Sequence, residues 1–185
     1  MFNDIYIENG QTKMLDATYK DAKEKKIKSP CCIIYGLTGS GKTSITNSWL
    51  KHYGYKYVEL DATSLKMTKF QIPDNSFPSL NEGVVILDKD MMNELFKPKY
   101  KDVNVILSSG VIDNITEDTI VFIDNYDRAE PDVRLELFKF IKECKVVDIR
   151  EESGIKKIHP FMFIIIIDSL GKNELSTEER QIFGI

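Results

Sequence analysis

A chain of 185 residues, 42% of them apolar, is long enough to bury one core, so a single α/β-sized domain is the starting expectation. A formal net charge of −4, from 25 basic and 29 acidic residues, gives no bulk electrostatic pull toward nucleic acid or an anionic membrane. Three cysteines, with Cys31 and Cys32 adjacent, make no disulfide framework, and the longest apolar run, FMFIIII at 161–167, is far short of the ~20 residues of a membrane-crossing helix; a soluble protein of the cytoplasm is expected.

In chain order, residues 15–28 (LDATYKDAKEKKIK) predict a short charged helix ahead of the first strand, its lysines on a solvated face rather than on phosphate. The next run, CCIIY at 31–35, is short and continuously apolar, the pattern of a strand buried on both faces.

Directly after it, Gly36-Leu37-Thr38-Gly39-Ser40-Gly41-Lys42-Thr43 is a full Walker A match, and it opens a helix whose Ile45, Trp49 and Leu50 are expected to face the core. The chemistry dictates these residue types. Glycines at 36, 39 and 41 let the backbone curl so that successive N–H groups point at phosphate oxygens, and the helix N-terminus adds its positive dipole end. Lys42 then reaches the β and γ phosphates, the Thr43 hydroxyl ligates Mg²⁺, and the nucleotide-binding stretch runs from Gly36 through Ser44.

Beyond it, YKYVEL at 55–60 is a strand candidate, 69–83 with Pro73, Asn75, Pro78 and Gly83 is expected to be a long loop, and VVIL at 84–87 is another strand. A helix capped by Asp88 or Asp90, with Met91, Leu95 and Phe96 inward, is expected to stop at Pro98. The runs VNVIL at 103–107 and IVFI at 120–123 are expected as buried parallel strands. After Pro131, the residues Val133, Leu137, Phe140, Ile141 and Cys144 recur at helical spacing, with Asp132, Arg134, Glu136 and Lys139 opposite. A hairpin is expected over 145–160, including VVDI at 146–149, and FMFIIII supplies the next buried strand. Strands alternating with helices give an α/β fold, three layers with a mostly parallel central sheet flanked by helices. His52 and His159 lack metal-ligand spacing, so no metal site beyond Mg²⁺ is expected.

Two strand-end carboxylates compete for the Mg²⁺ side of the site. Asp88 is explained as the cap of the helix it precedes, whereas Asp124 stands at a strand tip with polar residues running on to Pro131, and Asp124 is favoured. At this point the chain resembles an AAA+ ATPase core. Walker A, then VELDATSL, then IVFIDNYDRAEPDVRLELFKFI is most similar to the MoxR-like and dynein-related branch, in which an apolar strand, Asp-Glu, two residues, Arg-Ala, one residue and Pro precede a helix. The resemblance covers about residues 30–185, leaving 1–29 as an N-terminal helical extension. It implies ATP and Mg²⁺ as ligands, a ring or partial ring of like or related subunits, and a protein client remodelled by the assembly.

Carried over by position, the resemblance makes Lys42, Asp124 and Asn125 the catalytic positions, with Thr43 and Asp124 on Mg²⁺. Asn125 stands where the family has a water-polarising glutamate. An amide hydrogen-bonds a water but cannot take its proton, so binding with slowed hydrolysis is expected. Asp127 is the one nearby carboxylate that could substitute, and a local cap or pair is its favoured role. The γ-phosphate sensor falls on Asp168 or Ser169, off the family pattern, and Arg180 is either an arginine finger for a neighbour or a surface ion-pair residue, the latter favoured. The 145–160 hairpin lies where the family lines a central pore, or is an ordinary exposed hairpin. No helical lid follows the core within these residues, so a lidless core is expected. Two rivals stay open: a nucleotide-dependent binding module without hydrolysis, and a P-loop small-molecule kinase, which lacks support in any arginine-rich lid segment.

Overall fold

The structure, a computed structural model, describes residues 10–24, 26–74, 100–151, 153–168 and 175–183. Its centre is a parallel sheet in the spatial order β1 (Cys31–Gly36), β8 (Met162–Asp168), β5 (Ile120–Asp124), β2 (Tyr57–Asp61). Every residue of β5 and β8 is buried, as continuous apolar runs in a covered parallel sheet should be.

The period of two along these strands sorts them into two cores. Ile120 and Phe122 of β5 with Met162, Ile164 and Ile166 of β8 face one side, where they pack on Leu15 of α1 (Gly10–Lys23) and on Trp49 and Leu50 of α2 (Lys42–Tyr53). Val121, Ile123, Phe163, Ile165 and Ile167 face the other, against Val133, Leu137, Phe140 and Ile141 of the helix after Pro131. The three layers expected from the alternation of strands and helices are therefore present. Each fully buried aliphatic or aromatic side chain contributes about 1.5–3 kcal/mol, so the sheet faces are where most of the fold's stability lies.

The helix ahead of β1 is displaced from its expected span, starting at Gly10 and ending at Lys23 rather than covering 15–28. Closer to β1, Ser29 precedes Pro30 and sits at φ 49, with its hydroxyl donating to the Pro160 carbonyl at 2.7 Å. Of the residues expected inward on α2, Trp49 and Leu50 are fully buried and Ile45 is half-buried.

Two expectations are corrected. The run at 103–107 does not join the parallel sheet. Instead β4 (Tyr100–Val105) pairs antiparallel with β3 (Thr68–Pro73), and β3 occupies the start of the segment expected to be loop. Apolar pattern gives no warning of this pair because its side chains are mostly exposed: only Ile72 of the two strands is buried, and Leu107, the run's contribution to the core, comes after β4 has ended. The expected strand at 84–87, the helix capped by Asp88 or Asp90, and the Asp88 site candidate lie outside the described residues.

Downstream, α3 (Ser109–Asn114) precedes β5, a short 3-10 turn (Tyr126–Arg128) follows it, and α4 (Pro131–Glu143) begins with proline in its first turn. The expected hairpin forms from β6 (Lys145–Val147) and β7 (Ile155–Lys157), and α5 (Thr177–Phe183) comes last. Gly154 of the hairpin, at φ 70, abuts β3 so closely that a Cβ there would lie 2.2 Å from Ile72 Cδ1. The hairpin tip is anchored by Arg150, which donates to Asp148 (Nη2 to Oδ2, 2.7 Å) and, with both terminal nitrogens, to Asp113 of α3 (2.8 Å each).

Hydrogen bonds from Arg150 hold the buried Asp148 carboxyl at about 2, below its ordinary value. A depressed carboxylate stabilises the fold above its unfolded pKa, ~4, and loses that contribution as pH falls through about 2. Replacing Arg150→Ala strands a buried carboxylate, so chemical denaturation at pH 7 should show a loss of roughly 1–3 kcal/mol, shrinking between about pH 4 and 2 as Asp148 protonates in both proteins.

Candidate functional site

Parallel pairing puts the C-terminal ends of β1, β8, β5 and β2 on one edge, where binding sites of open α/β sheets lie. Register then sets the neighbours: Gly36 is opposite Asp168, and Asp61 is opposite Asp124. Two pairs of polar or glycine positions far apart in sequence thus meet at this edge, Gly36–Asp168 lying further along the strands than Asp61–Asp124.

From β1 the chain turns into α2 through two left-handed residues, Gly39 (φ 76) and Gly41 (φ 84), and Gly41 is the N-cap of α2. These two positions require glycine for their backbone angles. Gly36 does not: a Cβ there would meet Ser40 Oγ at 3.5 Å, an ordinary contact. The helix start carries no side-chain cap and no acidic residue in its first turn, so its N–H groups and positive dipole end are directed at the loop. Thr43 there is half-buried, while Leu37 and Ser44 are exposed.

Lys42 is 5% exposed and its ammonium donates to the carbonyls of Gly36 (3.0 Å) and Leu37 (2.8 Å) and to Asp168 Oδ1 (2.5 Å). The other Asp168 oxygen accepts from the Thr38 hydroxyl (2.9 Å) and from the Arg128 guanidinium, which also donates to Thr38 (3.3 Å). Burial by itself would raise the Asp168 pKa; the hydrogen bonds from Lys42 and Thr38 and the charges of Lys42 and Arg128 together outweigh it and hold the carboxyl below its usual range. The backbone N–H of Asp168 donates to Asp127 Oδ1 (3.0 Å), so the side chain of Asp127 ties the turn after β5 to the end of β8.

Asp124 closes β5, buried, with Oδ1 accepting the N–H of Asn125 at 2.9 Å. Asn125 is left-handed (φ 54), a conformation its short polar side chain tolerates. Its amide donates to Asp61 Oδ1 (3.2 Å), which also accepts the Thr63 hydroxyl (2.7 Å). The hydrogen bond from the Thr63 hydroxyl first, then those from Asn125 and the Thr63 N–H, lower the Asp61 pKa against an opposing effect of burial that exceeds Asn125's own.

Among the described residues no group of three or more His, Cys, Asp or Glu is suited to a metal. A Mg²⁺ of the phosphate-bound kind takes one or two protein oxygens and completes its shell with phosphate and water. The Thr43 hydroxyl and the Asp124 carboxylate are the residues that would hold it, and the glycine loop with Lys42 suits a polyphosphate.

Of the remaining expected site residues, Ser169 lies outside the described residues. Arg180 is half-buried on α5 and forms no ion pair among the described residues; its backbone N–H donates to Ser176. Its neighbour Glu179 instead is the engaged residue. Ser176 and Glu179 make a reciprocal cap, and Glu179 also accepts the buried Tyr126 hydroxyl (2.6 Å) and pairs with Arg134 (3.4 Å). Burial, then the bond to Glu179, push the Tyr126 phenol pKa up. Sequence reasoning did not single out Asp61, Arg128 or Glu179 as site-shaping residues. The Ser-x-x-Glu spacing at 176–179 was a readable signal for Glu179; the other two meet their partners only through the sheet.

No curated protein is similar enough in sequence to count as a relative of this chain. Among solved structures, two mutants of RuvB from Thermotoga maritima superpose with TM-scores of 0.52 and 0.51 at 17% and 16% identity, covering 97% and 98% of this chain. They show likeness of fold. The chain spans under half of their length, 44% and 45%. No helix among the described residues is long and apolar enough to cross a membrane. Residues 32–144, more than half of the chain, match the model of the ATPase family associated with various cellular activities, and the chain belongs to that AAA family of nucleotide-binding ATPases.

Proposed function

We propose that this chain is a Mg·ATP-binding AAA+ core of the MoxR-like kind, cytoplasmic, working in a ring or partial ring of like or related subunits that remodels a protein partner, with slow hydrolysis of its own. The observation that carries the slow-hydrolysis part is Asn125: beside the glycine loop, an amide occupies the position that the family resemblance makes water-polarising, and that amide is bonded to Asp61. An amide orients water without accepting its proton, and general-base assistance is worth typically 10²–10⁴-fold in rate. Asp61 does not readily make up the loss, because its own carboxylate is held by Thr63 and Asn125 and its pKa is lowered. The same observation favours a second reading, an assembly module that is ordered by ATP and never needs to cleave it. Ring formation draws on family membership, and in a ring Arg180 of α5 is the residue that the resemblance offers to a neighbour's site, a surface ion pair being its other reading.

One measurement tests both readings together and a second separates them. In a thermal shift assay, Mg·ATP at 100 times its Kd should stabilise the wild-type protein by about 2.7 kcal/mol, a rise of roughly 5–10 °C, and Lys42→Ala should abolish the shift. A flat melting curve for the wild type would overturn nucleotide binding altogether.

For turnover, Asn125→Glu alone places a second carboxylate against Asp61, and like charges in contact oppose each other. The double variant Asn125→Glu with Asp61→Asn keeps one carboxylate and one amide in the pair with their positions exchanged. Phosphate release by the double variant should exceed wild type at least tenfold and exceed the single variant. Brisk wild-type release that is lost in Lys42→Ala would overturn slow hydrolysis, and no release from any variant would favour the assembly module.

A further inference from the structure

An ammonium has three protons, and Lys42 gives all of them to oxygens of its own chain: two carbonyls of the loop and the Asp168 carboxylate. The second oxygen of that carboxylate is taken by the Thr38 hydroxyl and the Arg128 guanidinium. An anionic group thus already sits among an ammonium, a hydroxyl and a guanidinium, the donors that a terminal phosphate also seeks. Its position is built in. Asp168 is the register partner of Gly36, and its N–H is held by Asp127 Oδ1 in a buried bond, so its backbone is fixed there and the carboxylate can leave only by turning its side chain away from Lys42, Thr38 and Arg128.

We propose that Asp168 is a specificity-determining residue that sets the site against a γ-phosphate, so that the cradle takes a nucleoside diphosphate in preference to the triphosphate. The inference rests on the nucleotide-binding reading above and names which nucleotide that site prefers. The α and β phosphates fall to the N–H groups of the glycine loop and the start of α2, where the first turn carries no acidic side chain. A γ-phosphate would call on Lys42 and Arg128, the donors that Asp168 already occupies. Either Asp168 surrenders the lysine, or two anions meet in a poorly solvated site where salt screens little. Protonation brings no relief near neutral pH, because the carboxyl is held in its ionised form by the same three partners. Arg128, half exposed and hinged on the turn after β5, is the donor free to follow a phosphate when Asp168 is neutralised.

The test is calorimetric titration of Mg·ADP and Mg·ATP into the wild-type protein and into Asp168→Asn and Asp168→Ser, the smaller variant guarding against a fold defect in the first. Wild type should bind ADP more tightly than ATP, and both neutral variants should raise ATP affinity relative to ADP at least tenfold. Wild type binding ATP as tightly as ADP overturns the inference, as does an affinity ratio that moves less than tenfold in both variants. Binding of neither nucleotide by wild type is a different failure, since it removes the nucleotide-binding reading and the inference with it.

Discussion

Strands β5 and β8 bury every residue they have, and each is apolar until its last position. A polar side chain in the middle of either would lie between two helical layers with no water in reach, at a cost of about 1–3 kcal/mol or more if left unpaired. Polarity is therefore confined to the strand ends, and parallel pairing brings those ends to a single edge. Asp124 and Asp168 are the first polar side chains these strands can carry, and Asp168 emerges beside Gly36, where the glycine loop leaves β1. The location of the site follows from the dryness of the sheet.

Much of this was legible because it is local. Continuous apolar runs announced β1, β5 and β8; helical spacing after Pro131 announced α4; the glycine spacing announced the loop, and Gly39 and Gly41 indeed take left-handed angles. What escaped was non-local or weakly apolar. The β3–β4 pair is held by its own ladder and by Ile72 beneath Gly154, a contact 82 positions apart that no periodicity encodes. Arg128 was visible as a letter in a motif, but its meeting with Asp168, 40 residues on, depends on β5 and β8 lying side by side. Ser176 and Glu179, by contrast, carried a local cap signature that was open to reading.

The pairing of Asn125 with Asp61 gives the family resemblance a physical form. The carboxylate that the resemblance places after Asp124 is replaced by an amide, while a carboxylate stands across the strand gap at the end of β2. The amide suits its backbone, since asparagine occupies the left-handed region at little cost where a longer side chain is strained by about 1–2 kcal/mol. Local geometry, the hydrogen bond and the charge of Asp61 all favour asparagine here, so the departure is consistent with its surroundings at every level.

Glu179 joins pieces that the chain keeps far apart. One of its oxygens takes the Tyr126 hydroxyl and faces Arg134 of α4, while the other closes the start of α5 through the Ser176 N–H. Phe183 completes the grip, edge-on to Tyr126 and Phe138. Mechanically, α5 is clamped to the turn that carries Asn125, Asp127 and Arg128. A displacement of α5 would have to stretch the buried Tyr126–Glu179 bond or carry that turn with it.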